Sequence, residues 1–324
     1  MACEIIFSSD IYYIFRVYIQ YMPACDDVYT VGDRFMGFFK NHFVHAMQYY
    51  FHLVSKSHDE KSTISLIGQY QSINSGSRYV IDFIERIKRS KRYGNIVFRK
   101  YAIHSVPKGM KCIPLHCGAD PVKCPWFTSL SGARFMRDAL MRPAAIRRKA
   151  TIGIINRTRL NHKGRARNKG NRRLLNSGEV MKTIKARTCI TVDEIHFDDK
   201  SFNQQINFCN SHDIIISPHG AQICSIPFMP DYGVVIEICN EEYYLPTYFK
   251  QLALQSGKGH LLYCRTHDPV QLKKSMKGRN RSKQRAIDIT VDVDRLVGAV
   301  LNALRDRDAK IRKGNVDDLL DRKI

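Results

Sequence analysis

Continuous apolar runs separated by amphipathic stretches dominate the second half of this chain, and they predict buried strands that alternate with helices. Three aliphatic runs are bounded by turn residues, as is typical of strands covered on both faces: Thr151–Asn156, Ile214–Ser217 and Val234–Ile238. Two further strands are predicted at 189–192 and 260–263. The helices expected between and after them are 174–186, 199–211 (capped by Asp199 or Ser201), 243–255 and 292–305. This alternation predicts a doubly wound parallel sheet.

The first half shows the same alternation less clearly. An aromatic-rich helix is predicted at 38–54, strands at 62–68 and 95–103, and helices at 78–91 and 135–141. A length of 324 residues suits two domains of roughly 150 residues each. Arg142–Lys149 has the composition of a linker, so we expect domains at 1–140 and 141–324.

The segment that follows Ile214–Ser217 is the strongest candidate for chemistry. Pro218 ends the strand, and His219-Gly220-Ala221 then opens a short amphipathic stretch. A glycine turn at the carboxyl end of a parallel strand aims backbone N–H groups and a helix N-terminus at one point. Phosphate is commonly held at such a point in α/β proteins.

Three sequence blocks around this turn occur in a familiar order and spacing: Ser-Pro-His-Gly-Ala at 217–221, Ile-Pro-Phe-Met-Pro at 226–230 and Val-Val-Ile-Glu-Ile at 234–238. Together they resemble the signature of glycosyltransferase family 61. That family includes plant xylosyl- and arabinosyltransferases and animal enzymes that add N-acetylglucosamine to extracellular domains. The resemblance runs from about Ile154 to Leu296, and more faintly over Asn41–His45 and Asn95–Ile103.

The resemblance implies an α/β, GT-B-like architecture, in which two Rossmann-type domains face each other across a cleft. It implies an inverting transfer from a nucleotide-diphosphate sugar, with a UDP-sugar as the expected donor, to a hydroxyl of a glycan or glycoprotein. Neither a cofactor nor an obligatory metal is expected. Residues 1–140 would form the acceptor side, and residues 141–324 would bind the nucleotide sugar. The family also implies the lumen of the Golgi or endoplasmic reticulum, although no targeting segment is visible in this chain.

Family members carry an Arg after the first strand of the second domain, where this chain has Arg157, followed by an Arg-Arg pair that matches Arg172 and Arg173. These side chains can bind pyrophosphate oxygens with two parallel hydrogen bonds, which Lys cannot do. For any one of them, the alternative is an ordinary solvated charge. Gly220 and Ala221 would supply backbone contacts to the same diphosphate.

His219 and Glu237 each have a functional and a structural interpretation. An imidazole beside Gly220 can donate to the departing diphosphate, or it can simply satisfy a backbone carbonyl as a loop residue. As a loop residue, His219 would add little to core packing, so its removal is expected to leave the melting temperature nearly unchanged. Glu237, near the end of a buried strand, needs a partner because a lone buried carboxylate is costly. That partner is either a ribose diol or a neighbouring Arg.

The aromatic helix of the first half contains a second candidate, His45. His45 can act as a base on an acceptor hydroxyl, and the alternative is a core histidine. Asp292-Val293-Asp294 matches a metal-binding Asp-x-Asp pattern, but its place at the start of a helix favours a capping role.

The net charge of +22 predicts a polyanionic partner. Nucleotide sugars, an acidic glycan and an anionic membrane surface all fit this charge. A basic nucleic-acid-binding protein without enzymatic activity is the alternative function. Aromatic residues are not interleaved with the basic runs at 157–173 and 273–285, so we expect no nucleic-acid partner.

The ten cysteines contain no CxxC pair. Cys112, Cys117 and Cys124 could form a disulfide or, less in keeping with their spacing, a zinc site. Cys209, Cys224 and Cys239 lie in apolar runs and are predicted to be buried. Of two N-glycosylation sequons, Asn280 lies in a predicted exposed loop, whereas Asn156 ends a buried strand and should not be modified.

Overall fold

The structure is a computed structural model of the chain. It describes residues 27–30, 43–60, 64–67, 78–90, 96–99, 125–158, 172–198, 200–240, 248–264 and 287–321. The chain divides into two compact units, Met1–Met141 and Arg142–Ile324. Among the described residues, no helix combines the length and the apolar character needed to cross a bilayer.

The first unit contains a three-stranded parallel sheet in the order β1-β2-β3. Its elements, in chain order, are β1 (Asp27–Thr30), α1 (Phe43–Glu60), β2 (Ile64–Ile67), α2 (Arg78–Arg89), β3 (Ile96–Arg99) and α3 (Leu130–Leu140). Four of these correspond to predicted elements over shorter or shifted ranges, α3 begins earlier than predicted, and β1 was not predicted.

An aromatic cluster forms the core of the first unit. The ring of Phe51 on α1 packs edge-on against Phe83 on α2 at 5.4 Å and stacks on Phe127 at 5.4 Å. Trp126, which is fully buried, tilts against the same ring. The aromatic-rich pattern of this helix therefore serves packing between α1, α2 and the segment before α3.

The second unit contains a five-stranded parallel sheet in the order β5-β4-β6-β7-β8. Its elements are β4 (Ile152–Asn156), α4 (Ser177–Thr188), β5 (Val192–His196), α5 (Phe202–Ser211), β6 (Ile214–Pro218), a 3-10 helix (Ala221–Phe228), β7 (Val234–Cys239), α6 (Tyr248–Gln255), β8 (Gly259–Cys264) and α7 (Val293–Asp321). The predicted parallel α/β sheet of this half is confirmed.

The two faces of this sheet are covered by different helices. Successive strand residues point to opposite faces. Ile214 and Ile216 on β6, with Val234 and Ile236 on β7, share a fully buried core with α4 and α7. The opposite face, which includes Glu237, is on the side of the 3-10 helix, and that helix contacts both α5 and α6.

Local signals explain several element ends. Ser201 caps α5 through a hydrogen bond from the Gln204 N–H, and the Gln204 side chain accepts the Ser201 N–H at 2.9 Å. Asp292 caps α7 by accepting the Arg295 N–H at 3.1 Å, as expected for the Asp-x-Asp segment. Gly257, with φ 79°, follows the end of α6 in the left-handed conformation that glycine favours.

Two elements of the second unit differ clearly from their predicted ranges. The strand expected at 189–192 lies instead at Val192–His196, because α4 continues to Thr188 and Cys189 ends it in a left-handed conformation. The terminal helix expected to end near 305 continues to Asp321.

The predicted linker 142–149 is coil, but its Arg147 is ion-paired with buried Asp213. The linker is therefore docked along the second unit.

Candidate functional site

The order of the second sheet reverses between β4 and β6, and this point defines the candidate site. The chain passes from β4 outward to β5, returns to β6 on the other side, and continues to β7 and β8. Ligands of open parallel sheets bind in the crevice outside the carboxyl ends of the strands at such a reversal. Here those ends are Asn156 on β4 and Pro218 on β6, so Arg157 and His219 follow directly.

The Arg157 guanidinium lies against the backbone of Gly220. A Cβ atom placed on Gly220 would be 2.9 Å from Arg157 Nη1 and 2.5 Å from Gln222 Oε1. Any larger residue at position 220 would therefore displace the ends of these two side chains. The Gln222 side chain also donates to the Pro218 carbonyl at 2.6 Å, so it closes the carboxyl end of β6. The structure thus brings Arg157 and Gly220 together, whereas their contact with a diphosphate stays a prediction.

The side chain of Asn156 forms hydrogen bonds at both ends of the basic segment 157–173, which follows β4. Its side-chain oxygen accepts the N–H of Arg157 and the N–H of Leu174, both at 2.8 Å. Its side-chain nitrogen donates to the Leu174 carbonyl at 3.0 Å and to Glu194 at 2.6 Å. The basic segment therefore begins and ends at the carboxyl end of β4. Because Asn156 is 5% exposed and its amide is used in this way, its sequon is inaccessible.

The two arginines at the end of this segment have different surroundings. Arg172 is buried and has φ 59°, a conformation uncommon for a residue other than glycine. Arg173 forms a forked ion pair with Asp288, at 3.0 Å from Nε and 2.7 Å from Nη2, and its N–H donates to the same carboxylate. Because Asp288 already binds the guanidinium of Arg173, we no longer count Arg173 among the candidate phosphate ligands. Arg157 and Arg172 remain candidates.

His219 is a buried residue that bonds to a carboxylate. It is 4% exposed, its Nδ1 atom is hydrogen-bonded to Glu237 Oε1, and its ring packs edge-on against Phe249 at 5.0 Å. Its backbone N–H donates to the Ile238 carbonyl at 2.8 Å and therefore belongs to the sheet. The backbone donors available to a ligand here begin at Gly220 and Ala221, because the first N–H groups of a helix have no partner within it. His219 is therefore not a loosely packed loop residue, and we now expect its removal to lower stability.

Glu237 is fully buried and bridges two histidines. One oxygen bonds to His219, and the other lies 2.8 Å from His260 Nε2. The side-chain partners of Glu237 are therefore two imidazoles and not an Arg, and its contact with a ribose stays a prediction. Burial by itself would raise the pKa of Glu237, but the charge and hydrogen bonds of His219 and His260 hold that pKa below its ordinary value.

Two thiols border this carboxylate. Cys239 on β7 lies 3.9 Å from Glu237 Oε1, and a hydrogen bond with Cys239 lowers the pKa of Cys264, against the effect of burial. The ligand atoms of His219, Glu237 and Cys239 lie within 4.8 Å of one another, so this group has the composition of a possible metal site. The expected absence of a metal stays a prediction. Cys209, Cys224 and Cys239 are buried as predicted, and burial raises the pKa of Cys209 and Cys224.

Several predictions lie wholly or partly outside the described residues. His45 lies on α1, but its side chain is not described. Most of the basic runs, the sequon at Asn280 and the cysteines of the possible disulfide or zinc site also fall outside the described ranges. These predictions stay as they were.

Sequence reasoning missed three residues of the site: Asn156, Gln222 and His260. Asn156 drew attention only as a sequon. Gln222 follows the glycine turn, where its amide can close a strand end. Part of the signal for His260 was available, because buried Glu237 required a partner and the next predicted strand begins with a histidine, but the register that pairs the two strands could not be inferred.

The parallel sheet with helices on both faces defines an α/β protein of the Rossmann-like class. The crevice at its reversal point contains an arginine, a glycine turn and a buried His–Glu pair, and it is a candidate anion site. A family model described as Glycosyltransferase 61 matches residues 18–236, which is more than half of the chain. The chain therefore belongs to glycosyltransferase family 61, and the resemblance inferred from its three sequence blocks is confirmed.

One relative is similar to part of the chain. The EGF domain-specific O-linked N-acetylglucosamine transferase of Gallus gallus is 32% identical over 79 residues. These residues are 24% of this chain and 15% of the Gallus gallus protein. The matched segment thus spans a small part of that relative.

Proposed function

We propose that the chain is a glycosyltransferase that moves a sugar from a nucleotide-diphosphate sugar to a hydroxyl group of a glycan or glycoprotein. The observation that carries this proposal is the placement of the Arg157 guanidinium against Gly220 at the reversal point of the sheet, directly beside His219. Family membership supports the reaction class.

The chemistry needs charge stabilisation at the leaving group. The acceptor oxygen forms a bond to the anomeric carbon while the bond from that carbon to the diphosphate oxygen breaks, and the electron pair leaves with the diphosphate. In this proposal Arg157, Arg172 and the amides of Gly220 and Ala221 bind the developing negative charge, without a metal. His219, with Nδ1 bonded to Glu237, would donate a hydrogen bond or a proton from Nε2 to the same leaving group in its doubly protonated form. Attack from the opposite face inverts the anomeric centre.

The first unit would supply the acceptor side in a GT-B-like arrangement, with His45 as the residue that takes the proton of the acceptor hydroxyl. Since the name of the Gallus gallus relative specifies N-acetylglucosamine and an EGF domain, UDP-N-acetylglucosamine with an EGF-like domain is the first substrate pair to test. The nucleic-acid alternative has no support from the described residues or from the family match. A lumenal Golgi or endoplasmic reticulum location follows from the same proposal.

The test is the change in melting temperature on adding UDP, compared between two arginine variants of the full chain. Saturating UDP, at about one hundred times its Kd, should stabilise the folded state by about 2.7 kcal/mol. For Arg157→Ala we expect this UDP-induced shift to disappear. Arg173→Ala is the matched control, because it removes an arginine at the other end of the same basic segment that is engaged by Asp288.

The two variants separate binding from folding. Arg173→Ala should lower the melting temperature without UDP, through loss of its ion pair, while the UDP-induced shift persists. Equal UDP-induced shifts in Arg157→Ala and the unmodified chain would place nucleotide binding elsewhere. Release of UDP from UDP-N-acetylglucosamine, measured with and without an EGF-like domain, then tests the transfer itself.

A further inference from the structure

His260 is placed to control His219 through Glu237. The three side chains form a row on the face of the sheet opposite α4 and α7: His260 is the second residue of β8, Glu237 lies on the neighbouring β7, and His219 follows β6. In the parallel register, His260 pairs with Val235, so His260 and Glu237 are diagonal neighbours that point to the same face. The order of the strands in the sheet and the register of β8 against β7 together place the two imidazoles at the two different oxygens of the Glu237 carboxylate.

We propose that His260 is a positioning residue for His219, an inference that rests on the proposed function. His260 Nε2 donates to Glu237 Oε2 at 2.8 Å, and this bond fixes the orientation of the carboxylate. Glu237 Oε1 then accepts the proton on His219 Nδ1. That bond selects one tautomer of His219, so any chemistry of this imidazole proceeds through Nε2.

Burial limits the orientations that these three side chains can adopt. The side chains of Glu237, His260 and His219 are 0%, 2% and 5% exposed. Without His260, a buried carboxylate oxygen would lose its hydrogen bond, and the carboxylate could rotate away from His219. An acid that orients a histidine, itself oriented by another group, is a recurring way to prepare an imidazole for proton transfer.

The same cluster could instead hold a metal through His219, Glu237 and Cys239. We favour the hydrogen-bonded row because each carboxylate oxygen already faces an imidazole nitrogen. The two arrangements exclude each other at His219 Nδ1, since a nitrogen that donates a proton to Glu237 cannot coordinate a metal.

The test compares His260→Leu with His260→Gln in the full chain. Leucine removes the donor but keeps similar bulk, whereas the side-chain nitrogen of glutamine can occupy the place of His Nε2 and donate to Glu237. We expect His260→Leu to reduce kcat for UDP release from UDP-N-acetylglucosamine on the order of tenfold, with KM for the donor changed less than about twofold. We expect His260→Gln to recover most of this loss.

The matched control is His212, another buried histidine of the second unit whose Nε2 faces a carboxylate, Asp193, at 3.0 Å. His212→Leu should lower the melting temperature without changing kcat per folded molecule. If His260→Leu and His212→Leu have the same effect on kcat, or if glutamine rescues nothing, the positioning role is wrong.

A second measurement does not depend on catalysis. In protein with ¹⁵N-labelled imidazoles, the neutral form of His219 should be a single tautomer protonated at Nδ1, and its signals are identified by their absence in His219→Asn. His260→Leu should give a mixture of tautomers, and His260→Gln should restore one. An unchanged tautomer in His260→Leu would overturn the inference, and so would stoichiometric metal in the purified chain. If His260→Leu mixes the tautomers but His219→Asn is fully active, the catalytic role of His219 is overturned and the positioning remains intact. Absence of UDP release from the unmodified chain would overturn the proposed function instead.

Discussion

Strand β6 has a buried ionic cluster at each end, and the two clusters use different kinds of cation. At its amino end, Asp213 bonds to Arg147 Nη1 and to Arg307 Nε, both at 2.9 Å. At its carboxyl end, the anion is Glu237 and its partners are His219 and His260. Both carboxylates are fully buried. We call these sets the amino-end cluster and the carboxyl-end cluster.

The difference indicates which cluster serves structure and which serves chemistry. Arginine stays protonated at every accessible pH, so the amino-end cluster cannot change its charge. It joins the coil before β4, the start of β6 and α7, three segments distant in sequence. Histidine, in contrast, is the side chain that most often transfers protons in enzymes. The carboxyl-end cluster also lies at the reversal point of the sheet, where ligands bind.

Asp213→Asn should produce the largest loss of stability. Removing one partner of a buried ion pair typically costs about 3–5 kcal/mol, because the remaining charge is left uncompensated. We expect urea unfolding to show a loss of this size while the affinity of the remaining folded protein for UDP is unchanged. Asp308→Asn is the control: Asp308 also bonds to Arg307, at 2.6 Å, but its side chain is 52% exposed. That variant should lose less than about 1 kcal/mol. Similar losses in both variants would contradict the structural role of the amino-end cluster.

His219→Asn should produce the largest loss of activity. The Asn side-chain nitrogen can replace His Nδ1 as the donor to Glu237, but the variant has no equivalent of Nε2. We expect a rate loss on the order of a hundred- to thousandfold, typical of losing one donor to a developing negative charge. His219→Ala should lose the same activity and more stability, since it also leaves Glu237 Oε1 without its partner. An active His219→Asn variant would show that the imidazole is only a structural donor.

These two clusters also show what the sequence predicts well. Aliphatic runs between turn residues located β4, β6 and β7 to within a residue or so, because strands buried on both faces must be continuously apolar. Capping by Ser201 and Asp292 was equally predictable from the sequence, since a cap depends on the few residues that follow it. The need of Glu237 for a partner could also be inferred from local pattern alone.

The identity of that partner could not be inferred in the same way. The pairing of Glu237 with His260 depends on the register of β8 against β7, which is set by packing across the whole sheet. Asp213 was missed for the same reason, because Arg147 and Arg307 are far from it in sequence. Asn156 closes both ends of a long basic segment, a role that becomes apparent only when Arg157 and Leu174 are adjacent in space.

Glu237→Gln tests the carboxyl-end cluster through its pH dependence. The pKa of Glu237 is held below its ordinary value, so its ionised form stabilises the fold above the unfolded-state pKa of about 4.3. This contribution is lost as the pH falls through the lower, folded-state pKa. We expect the variant to be less stable by roughly 1–3 kcal/mol at neutral pH. Urea unfolding should show that gap closing in acid below about pH 4. A gap that stays constant over the acid range would mean that the charge of Glu237 contributes nothing to stability.

Gly220→Ala should have the smallest effect and should act at the carboxyl end alone. The backbone conformation of Gly220 is extended and available to any residue, so the cost comes from space. The new methyl group would meet Gln222 Oε1 at 2.5 Å and Arg157 Nη1 at 2.9 Å. Both atoms are ends of flexible side chains, so they can move at modest cost to stability, but Arg157 would then leave its place beside the glycine turn. We therefore expect UDP affinity, measured by calorimetry, to fall on the order of tenfold, equivalent to about 1.4 kcal/mol.

Gly298→Ala on α7 is the matched control, because no atom lies within 4 Å of its added Cβ. It should stabilise the helix by roughly 0.5–1 kcal/mol and leave UDP affinity unchanged. Unchanged UDP affinity in Gly220→Ala would mean that the position of Arg157 against the turn is a packing feature and that the diphosphate binds elsewhere.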